Sequence, residues 1–178
     1  YLMLRSRGAL DNSQVMFALA MGISFSIAGY LARDTYTSFQ GSRVMARNFY
    51  GALVVYDQET TGNMGPVRVL RHGTIDHGEE FIRPQYQRYP TTYYARKSGV
   101  GLAITNMLLE GPMTVGVIGL GSGTTSAYAR PIDHYLFYDI NPLVPQIARS
   151  EFKFLPGCLG KCEVVLGDAR LSLENELN

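Results

Sequence analysis

Three alternating glycines form the part of the sequence best suited to bind a small ligand. Gly119, Gly121 and Gly123 follow the apolar run 115–118 and precede residues compatible with a helix. Because glycine has no side chain, such a turn lets bare backbone approach a ligand, and the N–H groups of the next helix point toward it. A carboxylate that binds ribose hydroxyls is expected after the following strand, and Asp139 stands 20 residues after Gly119. The spacing predicts a nucleotide-type site.

The sixth position of this motif separates two kinds of nucleotide-binding protein. The dinucleotide-binding form carries a further glycine there for close packing of helix against strand, whereas this chain has Thr124. The difference favours a methyltransferase-like site for an S-adenosyl compound over an NAD site. Methylation of a small molecule with S-adenosylmethionine is one function that such a site would serve.

Alternating apolar and helix-compatible segments around the glycines predict a parallel sheet. The expected elements are strands at 113–118, 135–140 and 163–167, with helices at 124–130 and from Asn141-Pro142 to about 154. Short links between them demand right-handed crossovers. The ligand would then lie beyond the carboxyl ends of the strands, where the glycine turn, Asp139 and Asp168 converge. The alternative for both aspartates is that they only cap the helices that follow them.

The preceding segment predicts a small antiparallel β-domain at 48–90. Residues 48–57, 67–73 and 75–82 are rich in β-branched and aromatic residues and are bounded by turn residues. Residues 83–90 form a loop by their two prolines. A helix is expected from Thr91 or Thr92 to Leu109. This helix is the first element of the second domain, at 91–178.

Residues 15–32 form an uncharged run of 18 residues. A helix needs about 20 apolar residues, and no fewer than about 17, to cross a bilayer. The run predicts a transmembrane helix in an N-terminal segment at 1–34, joined by a polar connector at 35–47. Its small residues favour packing against a helix of a membrane protein partner: Gly22, Ser24, Ser26 and Gly29. The alternative is a buried helix of a soluble domain; a cleaved signal peptide fits less well, because no small-x-small cleavage site follows.

Composition narrows the classes of ligand and partner. Sixteen basic residues against fifteen acidic ones, with no basic stripe, argue against a nucleic-acid partner. Cys158 and Cys162 have no second cysteine pair, and His72 and His77 have no further ligand in register, so no metal site is expected. The cysteines are predicted to be free loop thiols in a reducing compartment.

Six motifs in register resemble the spermidine synthase-like (polyamine aminopropyltransferase) family, particularly its bacterial branch in which the domain follows membrane helices. The resemblance runs from about Arg47 to the C-terminus. Its carriers are Arg47-Asn48-Phe49-Tyr50-Gly51, His72-Gly73-Thr74, Pro90-Thr91-Thr92-Tyr93-Tyr94, Ile118-Gly119-Leu120-Gly121-Ser122-Gly123, Tyr138-Asp139-Ile140-Asn141-Pro142 and Gly167-Asp168-Ala169-Arg170.

The resemblance implies a small β-domain before a methyltransferase-like, Rossmann-type α/β domain that binds decarboxylated S-adenosylmethionine or its product methylthioadenosine. Within that domain it places Gly119, Gly121 and Gly123 at the sulfur and Asp139 at the ribose. Asp168 and Ala169 would meet the adenine, and Tyr93 and Tyr94 would border the amine substrate.

Three departures from the family argue against rapid aminopropyl transfer. The family's His-Glu after the tyrosine is Tyr94-Ala95 here, and its Asp in the glycine turn is Ser122. The strand carrying its catalytic aspartate has no counterpart before Asn178, so the sheet is expected to be truncated and the catalytic residues are unassigned. A cationic polyamine without carboxylate partners would pay a large desolvation cost. A non-catalytic accessory subunit of a membrane complex is therefore a second expectation.

Location and assembly follow from the same features. A single span in the inner membrane is expected, with the domain after residue 33 in the cytoplasm, where S-adenosyl compounds are made. Arg33, Arg43 and Arg47 outnumber Arg5 and Arg7, in agreement with the positive-inside rule. An incomplete sheet would leave an unpaired edge, so the chain is expected to be an oligomer or a complex subunit.

Overall fold

A computed structural model describes residues 11–176 of the chain, without the side chains of 38 and 39. The chain divides into two units at Gly41. Arg5 and Arg7, on which the predicted membrane orientation partly rests, lie outside the described residues.

The first unit contains one long helix, α1 (Asn12–Gly41). Its stretch Asn12–Thr37 is long and apolar enough to span a membrane, a test that a signal sequence or the core helix of a soluble protein also passes. At 1.5 Å per residue, 26 residues extend about 39 Å, more than the hydrocarbon core of a bilayer. The hydroxyls of Ser24 and Ser26 donate to the carbonyls of Ala20 and Gly22 at 2.9 and 2.8 Å, so the helix satisfies them internally.

The predicted polar connector at 35–47 is wrong. Residues 33–40 contain neither proline nor glycine, so nothing interrupts the helical hydrogen bonds before Gly41. The remaining residues form a strand, β1 (Ser42–Asn48), whose alternate side chains are half-buried. This strand adds to the predicted small sheet.

The second unit begins with an antiparallel sheet whose strands follow one another in the order β1-β2-β3-β4. The further strands are β2 (Gly51–Gln58), β3 (Val67–His72) and β4 (Ile75–Phe81). The predicted single strand at 48–57 instead begins after a two-residue turn at Phe49 and Tyr50. Gly51 has φ +127°, a conformation that L side chains rarely adopt, so the chain turns there.

Three short 3-10 turns and one helix connect this sheet to the next, in place of the helix predicted from Thr91 or Thr92. The turns are Pro84–Tyr86, Thr92–Tyr94 and Leu108–Glu110, and α2 is Gly99–Met107. Ser98 begins α2, because its Oγ accepts a hydrogen bond from the Gly101 N–H at 3.1 Å. Thr92 has φ 53°, which is incompatible with the start of a regular helix.

The predicted parallel sheet is confirmed, with strand order β5-β6-β7. Its strands are β5 (Thr114–Ile118), β6 (His134–Asp139) and β7 (Lys161–Leu166). α3 (Leu143–Glu151) follows β6, and α4 (Ala169–Glu176) follows β7. The predicted helix at 124–130 is instead a 3-10 turn, Thr124–Tyr128.

One hydrophobic core joins the two sheets. Tyr135 and Phe137 of β6 are fully buried, and Ile147 of α3 belongs to the same cluster. Leu53 and Leu70 of the antiparallel sheet complete it. Within the second unit, the antiparallel sheet therefore packs directly on the parallel sheet and its glycine turn.

The two cysteines form a disulfide, which corrects the prediction of free thiols. The Cα atoms of Cys158 and Cys162 lie 6.3 Å apart, within the usual range for a disulfide. Gly157 and Gly160 let this loop pack closely on neighbouring backbone: a Cβ on Gly157 would lie 2.6 Å from the Lys153 carbonyl oxygen, and a Cβ on Gly160 would lie 2.6 Å from the Asp133 carbonyl oxygen.

Candidate functional site

The glycine turn, residues 119–123, follows the carboxyl end of β5. Its backbone adopts a conformation that requires glycine. Gly119, Gly121 and Gly123 have φ values of +87°, +56° and +84°. L side chains rarely adopt such values, so the chain can reverse here only through glycine. The Gly119 N–H donates to the carbonyl of Tyr138 at 2.7 Å, which ties the turn to the neighbouring strand.

Asp139 lies at the carboxyl end of β6 and joins two turns. Its Oδ2 accepts a hydrogen bond from the Leu120 N–H and its Oδ1 accepts one from the Asn141 N–H, both at 2.9 Å. The glycine turn and this carboxylate therefore meet, as the sequence predicted. Because each carboxylate oxygen can accept more than one hydrogen bond, both keep capacity for a ligand hydroxyl.

Asn141 contributes a buried polar atom without a partner. It is 3% exposed, and its Oδ1 accepts hydrogen bonds from Leu143 N and from Asn48 Nδ2 at 3.1 and 2.7 Å. Its Nδ2 has no hydrogen-bond partner within the described part of the chain. A buried amide donor left unpaired in this way costs free energy unless a ligand or water accepts from it.

A cavity of about 410 Å³, within the size range of small-molecule sites, opens at the carboxyl edge of the parallel sheet, and Asp139 is not one of its lining residues. It is lined by Ile118, Gly119, Tyr138, Ile140, Gly167, Asp168, Ala169 and Arg170. The structure thus brings the predicted residues Asp168 and Ala169 to the same edge of the sheet as Gly119. Asp168 also begins α4, because its Oδ1 accepts a hydrogen bond from the Leu171 N–H at 3.1 Å.

Tyr93 and Tyr94 lie outside the residues that line this cavity. Their rings contact each other with centroids 4.5 Å apart, and burial raises the pKa of both phenols. The Tyr128 hydroxyl donates to the Tyr94 carbonyl at 2.6 Å, so this segment is tied to the 3-10 turn that follows the glycines. The hydroxyl of Thr91 donates to the Glu79 carbonyl and ties the same segment to β4.

The antiparallel strand β4 crosses directly over the glycine turn. A Cβ on Gly121 would lie 2.8 Å from the His77 carbonyl oxygen, and a Cβ on Gly78 would collide with the Ser122 hydroxyl. Ser122 is 1% exposed, and its Oγ lies 2.9 Å from Thr124 Oγ1. The position where the resembling family carries an aspartate is therefore enclosed under β4.

Sequence reasoning missed the residues that the antiparallel sheet brings to this edge. Asn48 Nδ2 donates to Asn141 Oδ1 across a separation of 93 residues. The Nε2 of His72 lies 2.8 Å from the Tyr50 carbonyl oxygen, and the rings of His72 and His77 contact each other with centroids 5.5 Å apart. Two consecutive aromatic residues in the turn after Asn48 were a sequence signal that this turn lies near a site. In the structure Phe49 is exposed, so it has no role in the core.

No protein-family model matches the chain, and no curated protein matches it at a significant level.

Proposed function

We propose that the second unit binds an S-adenosyl-type nucleoside at the carboxyl edge of the parallel sheet. The observation that carries the proposal is the hydrogen bond between the Asp139 carboxylate and the glycine turn, at the same sheet edge as the cavity that Asp168 and Ala169 line. Ligands of open α/β sheets bind outside the carboxyl ends of the strands. This location supports a Rossmann-type, methyltransferase-like assignment of the domain.

The polar groups at this edge fit a ribose. A ribose hydroxyl can donate to Asp139, because each of its carboxylate oxygens accepts one backbone hydrogen bond and keeps capacity for another. The side chains of Ile118 and Ile140 are 75% and 48% exposed, and they would cover the faces of an adenine in the cavity. Asp168 would accept from its amino group, and the thioether or sulfonium would lie along Gly119 and Gly121.

Within this class, we assign the chain to the spermidine synthase-like proteins, on the six motifs that it shares with them. Such a nucleoside supplies an electrophilic carbon beside its sulfonium. The residues of this chain would hold the ribose and adenine, exclude water, and position that carbon for a nucleophile. S-adenosylmethionine-dependent methyl transfer is the alternative, and the same adenosine contacts would serve it.

The first unit would anchor this domain to a membrane through α1, as a single inner-membrane span with the second unit in the cytoplasm. The length and composition of Asn12–Thr37 support the anchor. Carbonate washing of membranes tests it: the full chain should stay in the membrane pellet and leave it only with detergent. Release by carbonate alone would contradict the anchor.

Calorimetry on the full chain in detergent tests the nucleoside site. Methylthioadenosine should bind, and Asp139→Ala should weaken binding by about 2–3 kcal/mol through lost charge-assisted hydrogen bonds. Ala169→Trp, which places a large side chain in a cavity that Asp139 does not line, should also prevent binding. Glu163→Ala is the matched control, because this carboxylate lies at the amino end of the same sheet, paired with Lys161.

The comparison of three nucleosides decides between the two chemistries. An aminopropyltransferase-like site should prefer decarboxylated S-adenosylmethionine, whereas a methyltransferase-like site should prefer S-adenosylmethionine. Failure of methylthioadenosine, S-adenosylmethionine and decarboxylated S-adenosylmethionine to bind the wild-type chain would overturn the proposal and leave the accessory-subunit alternative.

A further inference from the structure

The imidazoles of His72 and His77 lie at one end of the candidate site. The proposed contacts with adenosine do not use this end. His72 ends β3, and it points to the same face of the antiparallel sheet as Leu70, two residues earlier, which packs in the core with Leu120. The ring of His77 contacts the ring of His72. Both side chains are only half-buried, so a ligand can reach them.

The fold gives this pair a fixed place relative to the glycine turn. β4 carries an irregularity where Leu70 pairs with Gly78 and Arg71 pairs with Asp76, which leaves His77 as the extra residue. The carbonyl of this bulged residue packs on Gly121. A nucleoside that extends from the cavity past Asp139 and along the glycine turn is therefore directed toward the two histidines.

The hydrogen bond to Tyr50 sets the protonation of the His72 ring. A carbonyl oxygen can only accept, so the Nε2 of His72 carries the proton in the 2.8 Å contact with Tyr50 O. In the neutral imidazole, Nδ1 is then the acceptor. The close fit of the ring over Gly51, where a Cβ would collide with Nε2, holds this orientation.

The charges at this end do not suit a polycation. Asn48, Tyr50, His72 and His77 contribute amide, phenol and imidazole groups. Of the carboxylates near this end, Asp76 is paired with Arg71 at 2.7 Å, and Asp139 is the group proposed to hold the ribose. An ammonium buried here without a carboxylate partner would be costly, whereas a neutral nucleophile would not.

We propose that His72 and His77 form the acceptor end of the site, that its substrate is a nucleophile without fixed positive charge, and that His72 Nδ1 accepts its proton. The inference rests on the proposed nucleoside site. In the step, a lone pair of the nucleophile attacks the carbon beside the sulfonium. The carbon–sulfur bond breaks, its electron pair stays on sulfur to give a neutral thioether, and the proton passes to His72.

Carbethoxylation of histidines in the full chain tests the location. The chain has three histidines, so the third provides an internal control. His134 lies at the amino end of β6, bonded to Glu163 and remote from Asp139. With S-adenosylmethionine at ten times its Kd, occupancy should slow modification of His72 and His77 by about tenfold and leave His134 unchanged. The rates are read from the peptides by mass spectrometry.

The outcomes separate this inference from the proposed function. If S-adenosylmethionine binds by calorimetry but leaves His72 and His77 fully reactive, the acceptor end lies elsewhere and the nucleoside site stands. If none of the three S-adenosyl-type nucleosides binds, both proposals fail. Equal protection of all three histidines would also overturn the inference, because it would indicate a general change of the fold.

His72→Gln tests the proton transfer, since glutamine can keep an N–H for the Tyr50 carbonyl but offers no basic nitrogen. The probes are trifluoroethylamine and 2-mercaptoethanol, which are uncharged at neutral pH, and putrescine, which carries two ammonium groups, with release of methylthioadenosine from decarboxylated S-adenosylmethionine as the readout. The variant should keep the nucleoside Kd and lose about 10²- to 10⁴-fold in kcat, whereas His134→Gln should change neither. An unchanged kcat in His72→Gln, or putrescine as the fastest probe, would overturn the assignment.

Discussion

The Oε1 of Glu80 accepts a hydrogen bond from the Lys153 N–H at 2.7 Å, and this contact joins β4 to the segment that follows α3. Glu80 is 3% exposed, and burial raises the pKa of its carboxyl to about 7. Hydrogen bonds from backbone N–H groups and the charge of Arg68 oppose this rise but do not cancel it. The two sheets are therefore joined through a carboxyl group that titrates near neutral pH.

The burial of Glu80 predicts that stability falls as pH rises from about 4.5 to 7. Between these values the folded protein holds a proton on Glu80 that the unfolded chain has lost, so deprotonation favours unfolding. At 1.36 kcal/mol per pH unit, the loss is about 3 kcal/mol. Urea unfolding of the full chain in detergent at pH 5 and pH 8 measures it.

Glu80→Gln is the matched variant, because a neutral amide can still accept from Lys153 N. The unfolding free energy of this variant should change much less between pH 5 and pH 8 than that of the wild type. Glu163→Gln, an exposed carboxylate at the amino end of the parallel sheet, should retain that decrease. A wild-type chain that is equally stable at both pH values would contradict the assignment.

Asp133 predicts the opposite response to pH. Its side chain is fully buried and accepts hydrogen bonds from the Arg130 guanidinium at 2.8 Å and from the Met113 N–H at 3.0 Å, which hold its pKa well below the usual range. Its stabilisation is complete above the ordinary aspartate pKa and declines as pH falls below it. Asp133→Asn should cost about 1.5–3 kcal/mol at neutral pH in urea unfolding, as for losing hydrogen bonds to a charged group.

The control for that variant is an exposed pair on α4. Arg170 and Glu174 lie 2.9 Å apart with side chains 85% and 54% exposed. Glu174→Gln should cost under about 0.5 kcal/mol, because water screens such pairs. If Asp133→Asn and Glu174→Gln lowered the free energy of unfolding by similar amounts, the burial of Asp133 would not strengthen its ion pair.

Local sequence patterns predicted most of the elements that carry the candidate site. The apolar runs before Gly119 and Asp139 predicted β5 and β6, and the spacing of these residues predicted their meeting at one edge. Such patterns work because strand alternation and glycine turns are encoded within a few residues. The boundaries of β3 and β4 followed from their β-branched and aromatic content in the same way.

Contacts between distant segments could not be predicted in this way. The Asn48–Asn141 bond joins residues 93 apart, and neither residue has a local pattern that names its partner. β1 was missed because its polar residues resemble a connector, and only pairing with β2 makes it a strand. The disulfide was missed because the sequence of a glycine-rich loop does not specify how close the Cα atoms of its two cysteines lie.

The crossing of β4 over the glycine turn predicts that Gly78→Ala is strongly destabilising. The new Cβ would meet the Ser122 side chain, and Gly78 has φ +155°. Backbone strain costs about 1 kcal/mol, and overpacking adds about 1–3 kcal/mol. Gly73→Ala, at φ +59° with open space around its Cβ position, should show only the strain. In urea unfolding, Ser122→Gly should relieve most of the excess cost of Gly78→Ala and none of the cost of Gly73→Ala.

The disulfide bears on where the second unit resides. Disulfides persist in oxidising compartments and are rare in the cytosol, whereas the proposed nucleoside is a cytoplasmic metabolite. If the bond between Cys158 and Cys162 forms in the cell, alkylation of the native protein should label neither cysteine until a reductant is added. The double variant Cys158→Ser, Cys162→Ser should lose about 2 kcal/mol, the closure entropy of so short a loop. Two labelled cysteines in unreduced protein taken directly from cells would instead support the cytoplasmic orientation, with the pair held as thiols.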